Sequence, residues 1–205
     1  MKKYVVFIGI IALVFASCAS TSAPSGGVAR VDSSTQTDLS GYWNDTDVKI
    51  VCESLIKDCL NSPRVDRTIK AMGNKTPKVL VGTFKNDSME HIDTGIITSR
   101  METTIFNSGV MDFVAGGSTR AELRAERQDQ QSNASESTAA ALANETGADF
   151  MLFGTVKTIV DKAGNQTVRT YFVYAEMTNV ETNERMWMGE NSEIKKVITQ
   201  AKNKL

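Results

Sequence analysis

The chain holds a single histidine, set among acids: Glu90, His91 and, two residues on, Asp93. An imidazole beside carboxylates is the raw material of a general base or a metal site. Either use needs further ligands, or a nucleophile, brought close in space. The plainer reading is a polar entry into a helix, with Asp93 or Thr94 capping its free N–H groups. Gly73-Asn74-Lys75-Thr76 resembles the tail of a phosphate loop, but the upstream glycine is missing and no strand precedes it. Gly116-Gly117-Ser118 stands before a helix and could receive an anion; the plainer reading is a turn plus a cap. The sequence contains no G-x-S-x-G, H-E-x-x-H or C-x-x-C. We therefore expect a protein that is not an enzyme and carries no metal and no cofactor.

Cysteine is used in two ways. Cys52 and Cys59 lie seven positions apart in a helical pattern. At about 1.5 Å rise per residue their Cα atoms stand roughly 10 Å apart, and a disulfide needs less than about 7 Å. They are expected as free, buried core residues. Cys18 follows a different pattern. Lys2 and Lys3 precede an apolar run, Val5 to Phe15, and the small residues Ala16 and Ser17 lead into the cysteine. That order is a secretory signal, too short to cross a bilayer as a permanent helix. Phe15-Ala16-Ser17-Cys18 resembles a bacterial lipobox, with Phe15 in place of the usual Leu. Cys18 is thus the expected lipid attachment site, with a diacylglyceryl group on sulfur and a further acyl chain, such as palmitate, on the freed amino group. Several chains at about 0.8 kcal/mol per CH₂ anchor a protein firmly. Ala19, rather than Asp, resembles a sorting signal for the outer membrane.

These residues must be carried by a scaffold, and composition limits what it can be. The 205 residues are 41% hydrophobic and 23% charged, with 23 basic against 24 acidic residues. This is ordinary globular composition; it excludes collagen, low-complexity disorder and a multi-span membrane protein. The near-neutral balance argues against nucleic acid as a partner. Residues 1–17 read as the signal peptide. Residues 18–40, the lipidated cysteine and a Ser/Thr-rich stretch, read as a flexible tether. Residues 41–205 read as one globular domain.

Within that domain the periodicity predicts helices over Asp47–Leu60, Thr94–Asn107, Thr119–Gln130 and Glu136–Glu145. Pro63 marks the end of the first, and Thr119 with Glu122 makes a capping box for the third. Strands are predicted over Lys78–Phe84, Met111–Ala115, Asp149–Val160, Thr167–Val180 and Arg185–Ile194. Lys162–Asn165 and Glu181–Glu184 supply hairpin turns. The expected class is α+β: a single mixed sheet, flanking helices and a C-terminal antiparallel meander. Phe150-Met151-Leu152-Phe153 is apolar on both strand faces, which suits a buried sheet better than a membrane barrel. Trp43, Tyr42 and Trp187 are candidate interface anchors. Trp187 is expected inside the sheet, and Trp43 to be the exposed one. The charged stretch Arg120–Gln130 reads as a solvated helix face, or else an interaction rim. Lys195, Lys196, Lys202 and Lys204 read as a solvated basic tail, with weak suitability for acidic glycan or lipid head groups.

Several stretches together resemble one family. Leu39 to Asp47 (LSGYWNDTD) opens the domain. Val81 to Asn86 (VGTFKN) is followed by Glu90 to Thr94 (EHIDT), then by Arg124 to Ser135 (RAERQDQQSNAS). Gly147 to Gly154 (GADFMLFG) starts the meander, and Glu181 to Glu190 (ETNERMWMGE) closes it. In this order they resemble the penicillin-binding protein activator LpoB family. The resemblance implies a fold like the N-terminal domain of TolB. It also implies a non-catalytic outer-membrane lipoprotein whose monomeric periplasmic domain binds and stimulates a class A penicillin-binding protein, a bifunctional peptidoglycan synthase. No contact surface transfers residue by residue. The alternative is a structural or CsgG-type secretion or assembly lipoprotein of the outer membrane.

Overall fold

Helix α1 (Asp45–Leu60) begins where a capping box forms. The Asn44 side chain accepts from the Asp47 amide at 3.1 Å, and the Asp47 carboxylate accepts from the Asn44 amide at 2.9 Å. Val48, Val51, Cys52, Leu55, Ile56 and Cys59 then fall on one buried face. Pro63 does not merely follow this helix. It is the first residue of a second one, α2 (Pro63–Ala71), which the sequence reading missed. A fixed φ and a missing N–H, which would break a helix interior, suit the first turn.

The computed structural model describes residues 30–73, 75–133 and 147–200. The chain divides into a short unit, Met1–Thr35, and a large one, Gln36–Leu205. The sequence-derived junction at 41 thus lies a few residues inside the large unit. In the short unit, the Asp32 side chain accepts from the Ser34 amide in a local turn. The expected helix over 136–145 falls outside the described residues.

The large unit is built on one mixed, six-stranded sheet. β1 (Lys78–Asn86) pairs in parallel with β3 (Phe150–Ala163) on one side. On the other it pairs with the two-residue β2 (Asp112–Phe113), at Lys78 and Val79 alone. β3 runs antiparallel to β4 (Gln166–Asn179) over its whole length, through a two-residue turn at Gly164 and Asn165. Gly164 has φ 59°, the left-handed value that such a turn demands. Helices α1, α2 and α3 (Thr94–Ser108) pack on one face of this sheet. The core lies between them, with Phe84, Phe150, Leu152, Val156, Tyr171, Val173 and Met177 from the strands.

Two expectations change here. The single strand foreseen over 185–194 is two: β5 (Arg185–Asn191) and β6 (Lys195–Thr199). Both pair with β4, β5 along its second half and β6 along its first. Asn191, buried, accepts from the Glu193 amide and turns the chain between them. The capping box at Thr119 does not form either, because α4 (Gly117–Asn133) starts two residues earlier. Helix α4 contributes no described residue to the core.

Candidate interaction surface

The helices cover one side of the sheet, and alternation along each strand sends the other residues to the opposite side. The register aligns them. Thr155 stands opposite Tyr174, Phe153 opposite Glu176, and Lys157 opposite Phe172. Glu176 then faces Met188, and Tyr174 faces Glu190. No described helix packs on this side. Tyr174 and Met188 are exposed, at 39% and 62%, while Phe153 and Phe172 are half-buried. A shallow depression of 230 Å³ opens between Phe153, Tyr174, Glu176 and Met188.

Charges frame this apolar patch. The Arg185 guanidinium lies 3.2 Å from the Glu176 carboxylate, and the Lys157 ammonium sits 5.9 Å from the Tyr174 ring centre. Partial desolvation and the neighbouring Glu190 push the Tyr174 phenol above its ordinary range, so it is neutral and able to donate. Aromatic and Met anchors among mixed charges are what protein interfaces favour over bare surface. The strand Phe150–Phe153 therefore differs from expectation. Its second apolar face is not buried in the fold but left open. That doubled apolarity was the available signal, since a half-buried strand normally alternates.

A second cluster fixes the start of the unit. Lys196 is not a solvated tail residue: its ammonium lies 2.6 Å from Asp47, 3.0 Å from Asp38 and 2.9 Å from the Tyr42 carbonyl. Burial outweighs the ammonium at Asp47 and pushes that carboxyl up, whereas Lys196 pulls the exposed Asp38 down. Arg169 stacks on the Tyr42 ring at 4.0 Å, donates to the Gly41 carbonyl at 3.1 Å and pairs with Glu90 at 3.2 Å. The buried Tyr171 hydroxyl donates to Glu90 at 2.9 Å. Burial, then Glu90, drive its pKa far upward.

This places the remaining candidates. Glu90 belongs to that buried cluster, His91 is exposed, and Asp93 caps α3 by accepting from the Gly95 amide at 2.9 Å. The three acidic and imidazole groups are thus divided among separate tasks. No group of three or more metal-ligating side chains forms among the described residues. Lys75 and Thr76 are exposed in a connection ahead of β1. Cys52 and Cys59 are buried and free, and burial raises both thiols to about 12. Trp43 is not the exposed aromatic. It packs against the core with its ring centre 5.2 Å from that of Tyr171, while Tyr42 beside it is exposed. Trp187 is buried in β5 and donates to Asp58 at 2.8 Å. Cys18, Lys202 and Lys204 lie outside the described residues. No described helix is long and apolar enough to cross a membrane.

The family model described as peptidoglycan-synthase activator LpoB matches residues 47–193. The span runs from α1 through β5. Similar solved structures include the LpoB C-terminal domain from Salmonella enterica, at 18% identity, covering 67% of this chain and 94% of that one, with a TM-score of 0.35. The corresponding domain from Escherichia coli is 16% identical, over 65% and 94%, with a TM-score of 0.37. The lipoprotein GNA1162 from Neisseria meningitidis is 16% identical, over 62% and 88%, with a TM-score of 0.38. At such TM-scores the architecture rests on the chain's own strand order. No curated protein sequence matches the chain.

Proposed function

The chain belongs to the peptidoglycan-synthase activator LpoB family, and from that premise we propose that it binds and stimulates a class A penicillin-binding protein without catalysing a reaction itself. Its lipid on Cys18 would anchor it to the outer membrane, with the globular unit facing the periplasm as a monomer. The family match carries this reading, because it spans nearly every element that builds the open sheet face. We assign the synthase contact to that face. Tyr174, Phe153 and Met188 would supply the anchors, and Arg185, Lys157 and Glu190 the charged rim that sets orientation. The secretion or assembly alternative gains no specific support from this surface.

The test mixes the purified full chain, in detergent, with purified class A synthases and follows glycan polymerisation. A rate increase that Tyr174→Ala combined with Met188→Glu removes is expected. Both side chains are exposed, so the fold should survive the change. Glycan release by the protein alone would overturn the non-catalytic reading. Stimulation untouched by the double variant would move the contact elsewhere.

A further inference from the structure

The sheet ends unfinished at β1. Its neighbour β2 pairs only with Lys78 and Val79, and the Val114 amide adds one more bond to the Val79 carbonyl. The chain then turns away through Gly116 into α4. β1 continues to Asn86, and over that length no described strand pairs with its outer side. An unpaired strand edge is a row of backbone donors and acceptors ready to accept another strand. Native proteins usually blunt such edges with short strands, charges or a covering helix.

Here the edge opens instead into a slot of 600 Å³. Leu80, Gly82 and Thr83 form one wall, Thr98 and Glu102 of α3 the other, and Gly116 closes the end. Thr98 and Glu102 are one helical turn apart, so they line the slot in series. β1 slips its register with β3 between Val81 and Phe84, a bulge that displaces Gly82 and Thr83. Glu102 is half-buried, has no cation beside it among the described residues, and is desolvated. The slot therefore presents main-chain hydrogen-bonding groups along one side and an uncompensated carboxylate on the other.

We propose that this slot is a peptide-binding site in which an extended segment of a partner protein adds as a strand to the outer edge of β1, with a Lys or Arg side chain facing Glu102. Main-chain bonds would supply affinity and the carboxylate would select the basic residue, which is how strand addition divides the two tasks. The incoming strand takes up the line beside β1 that the chain itself leaves after Gly116. The site borders the open sheet face at Met151 but shares no lining residue with the depression at Tyr174 and Met188, and it does not depend on the synthase reading.

The probe is a blocked five-residue peptide, Thr-Val-Lys-Val-Thr, titrated into the isotope-labelled full chain in detergent and followed by amide chemical shifts. Two control peptides carry Glu in place of Lys, or N-methyl groups on alternate amides. Shifts confined to Val81–Asn86 and Thr94–Glu102 are expected, with each control binding about tenfold more weakly or worse, the factor that a lost charge-assisted bond brings. Glu102→Gln should bring the Lys and Glu peptides to equal affinity. Thr98→Arg, which fills the slot and neutralises the carboxylate, should abolish binding. No shifts at millimolar peptide, equal binding of all three peptides, or shifts on Phe153–Tyr174 would each overturn the proposal. So would slow exchange, in the free chain, of the amides of Val81–Asn86 that point away from β3, because a segment of the chain itself would then fill the slot.

Discussion

Cys52 and Cys59 show burial deciding what a residue can do. A thiol raised from near 9 to about 12 stays protonated across the physiological range. Both cysteines should therefore resist iodoacetamide in the folded protein at pH 8 and react fully in denaturant, as mass spectrometry would read. The linkage has a definite sign. The folded state keeps these protons at pH values where the unfolded chain releases them. Their contribution is complete below pH 9 and is lost as pH climbs towards 12. Cys52→Ala with Cys59→Ala should flatten that part of the Tm profile. Rapid labelling of the native protein would contradict the burial.

Lys196 argues the opposite case, where burial needs a charge rather than excluding one. Its side chain is 11% exposed and that of Asp47 beneath it 6%. Lys196→Met keeps most of the stem but strands that carboxylate, and removing one partner of a buried pair costs about 3–5 kcal/mol. Urea unfolding should show a loss near the lower bound, since Asp47 keeps its bond from the Asn44 amide. A loss under about 1 kcal/mol would place the pair with exposed ones. None of this was legible in the sequence. Lys195 and Lys196 stand in a run of lysines and acids whose partners, Asp38 and Asp47, lie some 150 positions earlier. Charge pattern alone reports solvated residues; only β6 beside β4 brings Lys196 to the start of α1.

At the scale of elements, most of the fold was readable because local signals agreed. The 3–4 spacing of α1 and α3, and the alternation in β3 and β4, each match an observed element. Errors arose where one local feature permits two outcomes. Pro63 ends one helix and starts another; Arg185–Ile194 looks like one strand because the break at Asn191 is a side-chain turn without Gly or Pro. The open face was misread for a related reason. Apolar residues on both faces of β3 fit a doubly buried strand and an interface strand equally well. Substitution separates these. Met177 is 2% exposed and Met188 is 62% exposed, although both are methionines on neighbouring strands. Met177→Ala should cost about 2–5 kcal/mol, as for core Met, and Met188→Ala less than about 0.5 kcal/mol. Equal losses in thermal unfolding would mean that something covers the second face.

At the scale of the molecule, the question is reach. With Cys18 as anchor, about 17 residues precede the large unit at Gln36. The flexible tether expected from the sequence would, at that length, have an r.m.s. span of about 23 Å, and about 58 Å when fully extended. A unit of about 170 residues has a radius of gyration near 15 Å and a diameter of roughly 40 Å. Typical reach from the proposed anchor would then be about 60 Å and the limit about 100 Å. The Lys196 and Arg169 contacts matter to this sum, because they hold residues 38–42 against β4 and β6 and withdraw them from the spacer. Under the proposed outer-membrane anchor, a spacer of this length would meet an inner-membrane enzyme only where that enzyme projects outward, so the proposed contact belongs on a part of the synthase distal from its membrane. Cys18→Ala should leave an unprocessed, unacylated precursor by mass spectrometry of the N-terminus. Deleting 22–35 should abolish activation in cells and leave stimulation of the purified synthase in solution unchanged, because it removes reach and no part of the surface. Activation that survives the deletion in cells would show either that the spacer is not limiting or that the synthase is not the partner. Loss of stimulation in solution as well would instead mean that residues 22–35 take part in the contact.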